Sequence, residues 1–210
     1  MSDRAQIERI KRNAAALQRV ETCEYPDFFR RRHNFRFNPP ASLEQVLAYE
    51  AKYGFAFPAG YREFILEVGD GGAGPFYGLK QRFTFFGQTL REREGSLGSR
   101  PTIYRKAALG EDWKTELLGS GWGEMDDDDL ETLFFQGTLS LCDVGCAIEI
   151  VLALNGPLAG CVIQTDYGFT VPAVWQPSAF LDFYEEWQAA VLEGWKHTES
   201  RFAPPRDIPR

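Results

Sequence analysis

Three sets of residues in this 210-residue chain have types and spacing that could do chemistry. Gly69, Gly71 and Gly74 form a full G-x-G-x-x-G, a spacing that cradles a pyrophosphate when it follows a strand and opens a helix. Glu124, Asp126 and Asp128, in a run that includes Asp127 and Asp129, offer hard oxygen ligands of the kind magnesium takes. Cys23, Cys142, Cys146 and Cys161, with His33 and His197, are the thiols and imidazoles from which a zinc site or a Cys-His nucleophile pair would be built.

Each set meets an objection in its own neighbourhood. The stretch before the glycines, Pro58 to Val68, has helical periodicity, and a strand-like "PFYGLK" follows them. That order is the reverse of a dinucleotide fold. It would turn carbonyl groups toward a phosphate and repel it. The glycines are instead expected to let the chain leave a helix, with Gly69 as its left-handed stop. A metal site needs ligands that converge, which adjacent residues of one acidic loop do poorly. None of the cysteines has C-x-x-C spacing, so buried small hydrophobes are their expected role. No G-x-S-x-G, H-E-x-x-H or Walker pattern is present. We therefore expect no cofactor, no metal and no catalysis.

The elements that must position these residues are partly legible. Residues 3 to 22 read as an amphipathic helix, with Ile7, Ile10, Ala14 and Leu17 on one face. Ser42 and Gln45 make a capping box for a helix with a stripe of Leu43, Val46, Leu47 and Tyr53, stopped at Gly54. Pro58 suits the first turn of the next helix, whose stripe is Tyr61, Phe64, Ile65 and Val68. Phe83 to Phe86 reads as a short strand. Residues 87 to 125 are ambiguous between one broken helix and two short ones, and "GEMDDDDLE" reads as an exposed acidic loop. "ETLFFQG" resembles an engineered protease-recognition sequence, but it lies mid-chain and a strand pattern runs on from it. Four β-rich runs follow: "TLSLCD", "CAIEIVLAL", "AGCVIQTD" and "FTVPAVW". Short turn-forming breaks separate them, which predicts an antiparallel meander. Ser178 is the expected cap of a closing helix with Phe180, Tyr184, Trp187, Val191 and Trp195 in its stripe. This order predicts an α+β fold, a mostly antiparallel (mixed) sheet backed on one face by helices. The expected organisation is an N-terminal helical extension (1–36), a main domain (37–196) and a Pro-rich tail (197–210).

Charge bounds the partners. Residues 1 to 40 carry nine Lys/Arg against five Asp/Glu, and the other 170 carry 14 against 25. An acidic body repels nucleic acid and attracts basic proteins. The basic "RRRHNFR" at 30 to 36 could still touch an anion. No apolar run is long enough to span a membrane and no signal-peptide core is visible, so a soluble cytoplasmic protein is expected.

The segments "LEQVLAYEAKYGFAFPAGYREFILEVGDGG", "FYG", "LSLCDVGCAIEIVLALNGPLAGCVI" and "PSAFLDFYEEW" together resemble the SUKH superfamily. This family includes fungal cell-wall-assembly regulators and bacterial immunity proteins. Glu50, Gly54, Pro58, Tyr61, Gly71 and Gly72 fit the first part of its pattern, and Asp143, Gly145 and Gly160 the second. The resemblance spans roughly 42 to 195. Residues 1 to 36 lie outside it, and Ala147 stands where a second glycine is often found after the D-x-G turn. It implies a non-enzymatic protein-binding module. The leading expectation is an immunity protein that neutralises a basic toxin, such as a nuclease. Trp113, Trp122, Glu124 and Asp126 to Asp129 are the candidate contacts, because Trp is enriched at hot spots and acids steer a basic partner. A regulatory scaffold docking through the first helix is the second expectation, and a metal-dependent enzyme using the acidic run the third.

Overall fold

A computed structural model describes residues 4–20, 27–83, 101–105, 109–166 and 170–194. Cys23, Trp195, His197, the tail and most of the expected strand at 83–86 lie outside the described residues. The helices are α1 (Arg4–Leu17), α2 (Asp27–His33), α3 (Leu43–Tyr53), α4 (Ala59–Glu67), α5 (Trp113–Leu118), α6 (Asp127–Phe135) and α7 (Phe180–Leu192). Strands β1 (Thr138–Gly145), β2 (Ile148–Ala153), β3 (Cys161–Thr165) and β4 (Ala173–Ala179) pair consecutively and antiparallel, in the order β1-β2-β3-β4. The α+β class and the meander are as expected.

Period-two alternation on β2 sends its side chains to two different cores. Ile148, Ile150 and Leu152 face a large core shared with α1, α3, α4 and α7. Val151 and Ala153 face a smaller one with Trp113, Leu117, Phe134 and Phe135 of α5 and α6. Helices therefore back the expected face, and a second, smaller layer covers the other. Every residue of β2 is buried, as in a strand sandwiched on both sides.

The local signals explain the helix ends. Gln45 N–H donates to Ser42 Oγ (3.1 Å) and Ser42 N–H donates to Gln45 Oε1 (2.8 Å), which closes the capping box. Gly54 takes φ 69° and donates its N–H to Glu50 O. The buried face of α3 is Val46 and Tyr49, whereas Leu43 and Leu47 are exposed; the stripe sits about one residue round from the expected one. Pro58 stands just before α4 rather than inside it. β4 continues through Ser178, and α7 starts after Ala179, which has no side chain able to cap it. Its expected stripe of Phe180, Tyr184, Trp187 and Val191 is buried.

α1 packs on α7 and α4. Ile7, Ile10 and Leu17 enter the large core, and Gln188 Nε2 donates to Ile10 O (3.1 Å) from within the contact. Its half-buried flanks pair Lys11 with Glu67 (2.7 Å) and Arg9 with Glu185 (2.7 Å).

The glycine segment lies between two other stretches of backbone. Ala73 N–H donates to Arg36 O (2.7 Å) on one side, and Gly72 and Leu79 exchange two bonds of 2.9 Å on the other. A Cβ on Gly72 (φ 96°) would sit 2.5 Å from Arg36 O, so only glycine fits. Gly69 is not a left-handed stop. Its φ is not positive, and it is needed because a Cβ there would lie 2.7 Å from Asn38 O. "PFYGLK" makes one bridge at Leu79 instead of a strand. The chain from Tyr77 then runs along β1. Tyr77 N–H donates to Asp143 O (3.3 Å), Lys80 N–H to Leu141 O (2.7 Å), and the Arg82 guanidinium to Ser140 O.

Candidate interaction surface

The acidic run is not a loop. Asp126 is the N-cap of α6, and its Oδ1 accepts from Asp129 N–H (2.8 Å). Asp127, Asp128 and Asp129 form the first turn, where the positive end of the helix dipole offsets their mutual repulsion. All four are exposed, as is Glu124 on the 3₁₀ turn Trp122–Glu124. Consecutive helical residues point about 100° apart. The aspartates therefore fan outward instead of converging, and among the described residues no three His, Cys, Asp or Glu side chains are placed to hold a metal ion.

The layer holding these acids is anchored by aromatics. Trp113 is 7% exposed and meets Phe134 edge-on (5.9 Å between rings), so it lies beneath the surface and is no contact anchor. Trp122 is half-buried, with Lys114 Nζ 4.6 Å from its ring centre. Tyr104 donates its hydroxyl to Phe134 O (2.9 Å), and Thr165 Oγ1 lies 2.7 Å away; this ties α6 to β3. Burial lifts the Tyr104 phenol above its usual range, so it stays a donor.

Residues 109 to 136 contain nine Asp/Glu and one Lys. That net −8 exceeds the −7 of the whole chain, so the remainder is close to neutral. Eight of the nine acids are exposed. Charge totals over the first 40 residues and the other 170 hide this concentration, which the fold places on one face of the sheet.

The motif residues have structural work. Glu50 Oε1 accepts from Phe57 N–H (2.8 Å) and Arg62 Nε (3.2 Å), pinning the α3–α4 turn. Tyr61 packs with its ring tilted against Phe57 and edge-on to Phe180 in the large core, and Arg82 Nε donates to its hydroxyl (3.4 Å). Asp143 does not bond the turn backbone. Its carboxylate pairs with Lys80 Nζ (2.8 Å), which also reaches Glu149 (3.2 Å). Ser140 Oγ donates to the same Glu149. Gly145 (φ 104°) leads into a two-residue hairpin turn whose centre, Cys146 (φ 51°) and Ala147 (φ 65°), is left-handed without glycine. Gly160 (φ 84°) closes the β2–β3 turn and donates its N–H to Ala153 O (2.8 Å).

No family model, curated protein or solved structure matches this chain. The SUKH resemblance therefore stands on its motif residues alone.

Burial also shifts three groups outside the acidic layer. His33, buried between α2 and the core, has its pKa lowered from 6.5 to about 4 by burial, and its Nδ1 accepts from Phe35 N–H (3.1 Å). Asp70 is raised by burial, although its carboxylate accepts from Arg82 N–H (2.8 Å) and Phe83 N–H (2.7 Å). The Cys142 thiol is buried and lifted above its usual range, as expected of an inert small hydrophobe. Cys146 is exposed at the hairpin turn and Cys161 is half-buried; both are free thiols. Among the described residues no helix is long and apolar enough to cross a membrane.

Proposed function

We propose that this chain is a non-enzymatic protein-binding module that presents the α5–α6 layer to a basic partner. One observation carries the reading: the layer has a net charge of −8 on a chain of −7, almost all of it exposed. A concentrated field of one sign steers association with the opposite sign more than it adds contact energy. A toxin that acts on nucleic acid needs a basic face, so an immunity protein neutralising such a toxin fits this surface. The SUKH resemblance supports the same reading, and a cytoplasmic setting goes with it. With Trp113 buried, the expected contacts are Glu124, Asp127, Asp128 and the open face of Trp122.

The experiment is co-expression with the product of a neighbouring toxin gene, followed by association kinetics on the purified pair. The triple variant Glu124→Gln, Asp127→Asn, Asp128→Asn keeps the Asp126 cap. It should slow association at least tenfold at low salt and leave melting within about 0.5 kcal/mol of wild type. Unchanged toxicity, or a complex formed equally well by the variant, would remove the reading.

A further inference from the structure

Lys114 is the one basic residue among the nine acids of residues 109 to 136. Among the described residues it makes no ion pair and donates no hydrogen bond. Its Nζ sits instead 4.6 Å from the centre of the Trp122 ring and 5.5 Å from that of Trp113. The face of an indole attracts a cation within about 6 Å of its centre. The two rings therefore form a seat for positive charge, and the chain's own lysine fills it. We propose that this seat receives an arginine side chain of the basic partner, with Lys114 as its placeholder in the free chain. The proposal rests on the reading of the α5–α6 layer as the docking surface.

One wall of the seat is fixed and the other is open to approach. Trp113 is buried and meets Phe134 edge-on. Trp122 is half-buried, on a turn held by Glu124 N–H to Gly121 O (3.2 Å) and Met125 N–H to Trp122 O (3.2 Å). Gly121 and Gly123 flank it. Neither has a positive φ, and a Cβ on either would meet nothing within 4 Å. Backbone conformation and packing therefore do not require glycine at these positions. What the missing side chains leave is clear space beside the ring. Lys114 is held by ring contacts alone, so its ammonium can swing out and regain its strong hydration. A guanidinium is more weakly hydrated, lies flat on an indole and keeps its edge N–H groups for carboxylates. Glu124, exposed on the same turn as Trp122, is an acceptor suited to them. Exchange of the lysine for an arginine thus replaces one ring contact by another and adds charged hydrogen bonds.

The test is titration of the full chain with a glycine-spaced arginine peptide and with its lysine counterpart. Calorimetry reads the affinity, and the indole N–H resonance of Trp122 reads the place. Saturable binding that moves this resonance is expected, with the arginine peptide tighter by about threefold or more. Trp122→Leu should weaken the arginine peptide about threefold or more and abolish the preference. Lys114→Met empties the seat and keeps the aliphatic stem against the rings, so the proposal stays testable if Trp122→Leu folds poorly. It should tighten the arginine peptide about threefold and the lysine peptide less, whereas loss of a positive charge by itself would tighten both equally. Equal affinity of the two peptides, an equal gain for both in Lys114→Met, or a Trp122 resonance that stays put at saturation would overturn the seat. The triple acid variant separates this proposal from the reading beneath it. If that variant slows capture of the toxin while the Trp122 and Lys114 variants bind both peptides as wild type does, the docking layer stands and the arginine seat falls. If it captures the toxin unchanged, both fall.

Discussion

His33 shows how one buried side chain sets the acid limit of the fold. Its imidazole is neutral in the folded chain because burial penalises the cation, whereas the unfolded chain protonates near pH 6.5. Stability is therefore unaffected by this group above about pH 6.5, and falling pH removes roughly 3 kcal/mol by about pH 4. Chemical denaturation at pH 7 and pH 4.5 should show this loss in wild type and a clearly smaller one in His33→Gln. Asp70 works in the opposite sense, because burial raises its carboxyl and its contribution shrinks as pH rises. Cys146 and Ala147 carry a second residue-scale cost. Each adopts a positive φ that L side chains pay about 1 kcal/mol to hold. Ala147→Gly should stabilise the chain by about that amount, read as a higher denaturant midpoint at unchanged slope. The D-x-G turn is visible in the sequence, but its centre two residues on is a matter of strand register, which no local pattern states.

At the scale of elements, short-range chemistry was readable and long-range packing was not. The Ser42–Gln45 box, the Gly54 stop and the first two turns of the meander act within four or five residues, and all are found in the fold; the break before β4 lies outside the described residues. The acids at 126 to 129 looked like a wet loop because like charges repel, yet a helix start is where the backbone offers unsatisfied N–H groups to carboxylates. Asp126→Ala should cost about 1 kcal/mol, with amide exchange rising first in α6. The expected stripe of α3 holds Leu43 and Leu47 and omits the buried Tyr49, because periodicity gives a spacing and leaves the rotation open. The second layer needed a contact between Trp113 and Phe134, 21 positions apart, that no helical or strand period links. The run of apolar residues along β2 was its one sequence signal.

For the whole molecule, α5 and α6 cover one side of the sheet, and α1 and α2 lie across the other. The negative charge belongs to the first side and the arginines of the α2 turn to the second. Raising salt from 50 to 500 mM should slow capture of a basic partner by an order of magnitude or more and leave its dissociation nearly unchanged, as stopped-flow mixing would show. The candidate surface was legible in the sequence as residues and as charge, but not as a layer, because its concentration appears only once the strands have folded between the two sides. The chain from Tyr77 to Arg82 is bonded along β1, so that border of the sheet offers no free ladder to another strand. Ribbon-like growth from the β1 margin is thereby discouraged, and a neighbour meeting that side must be held by side chains.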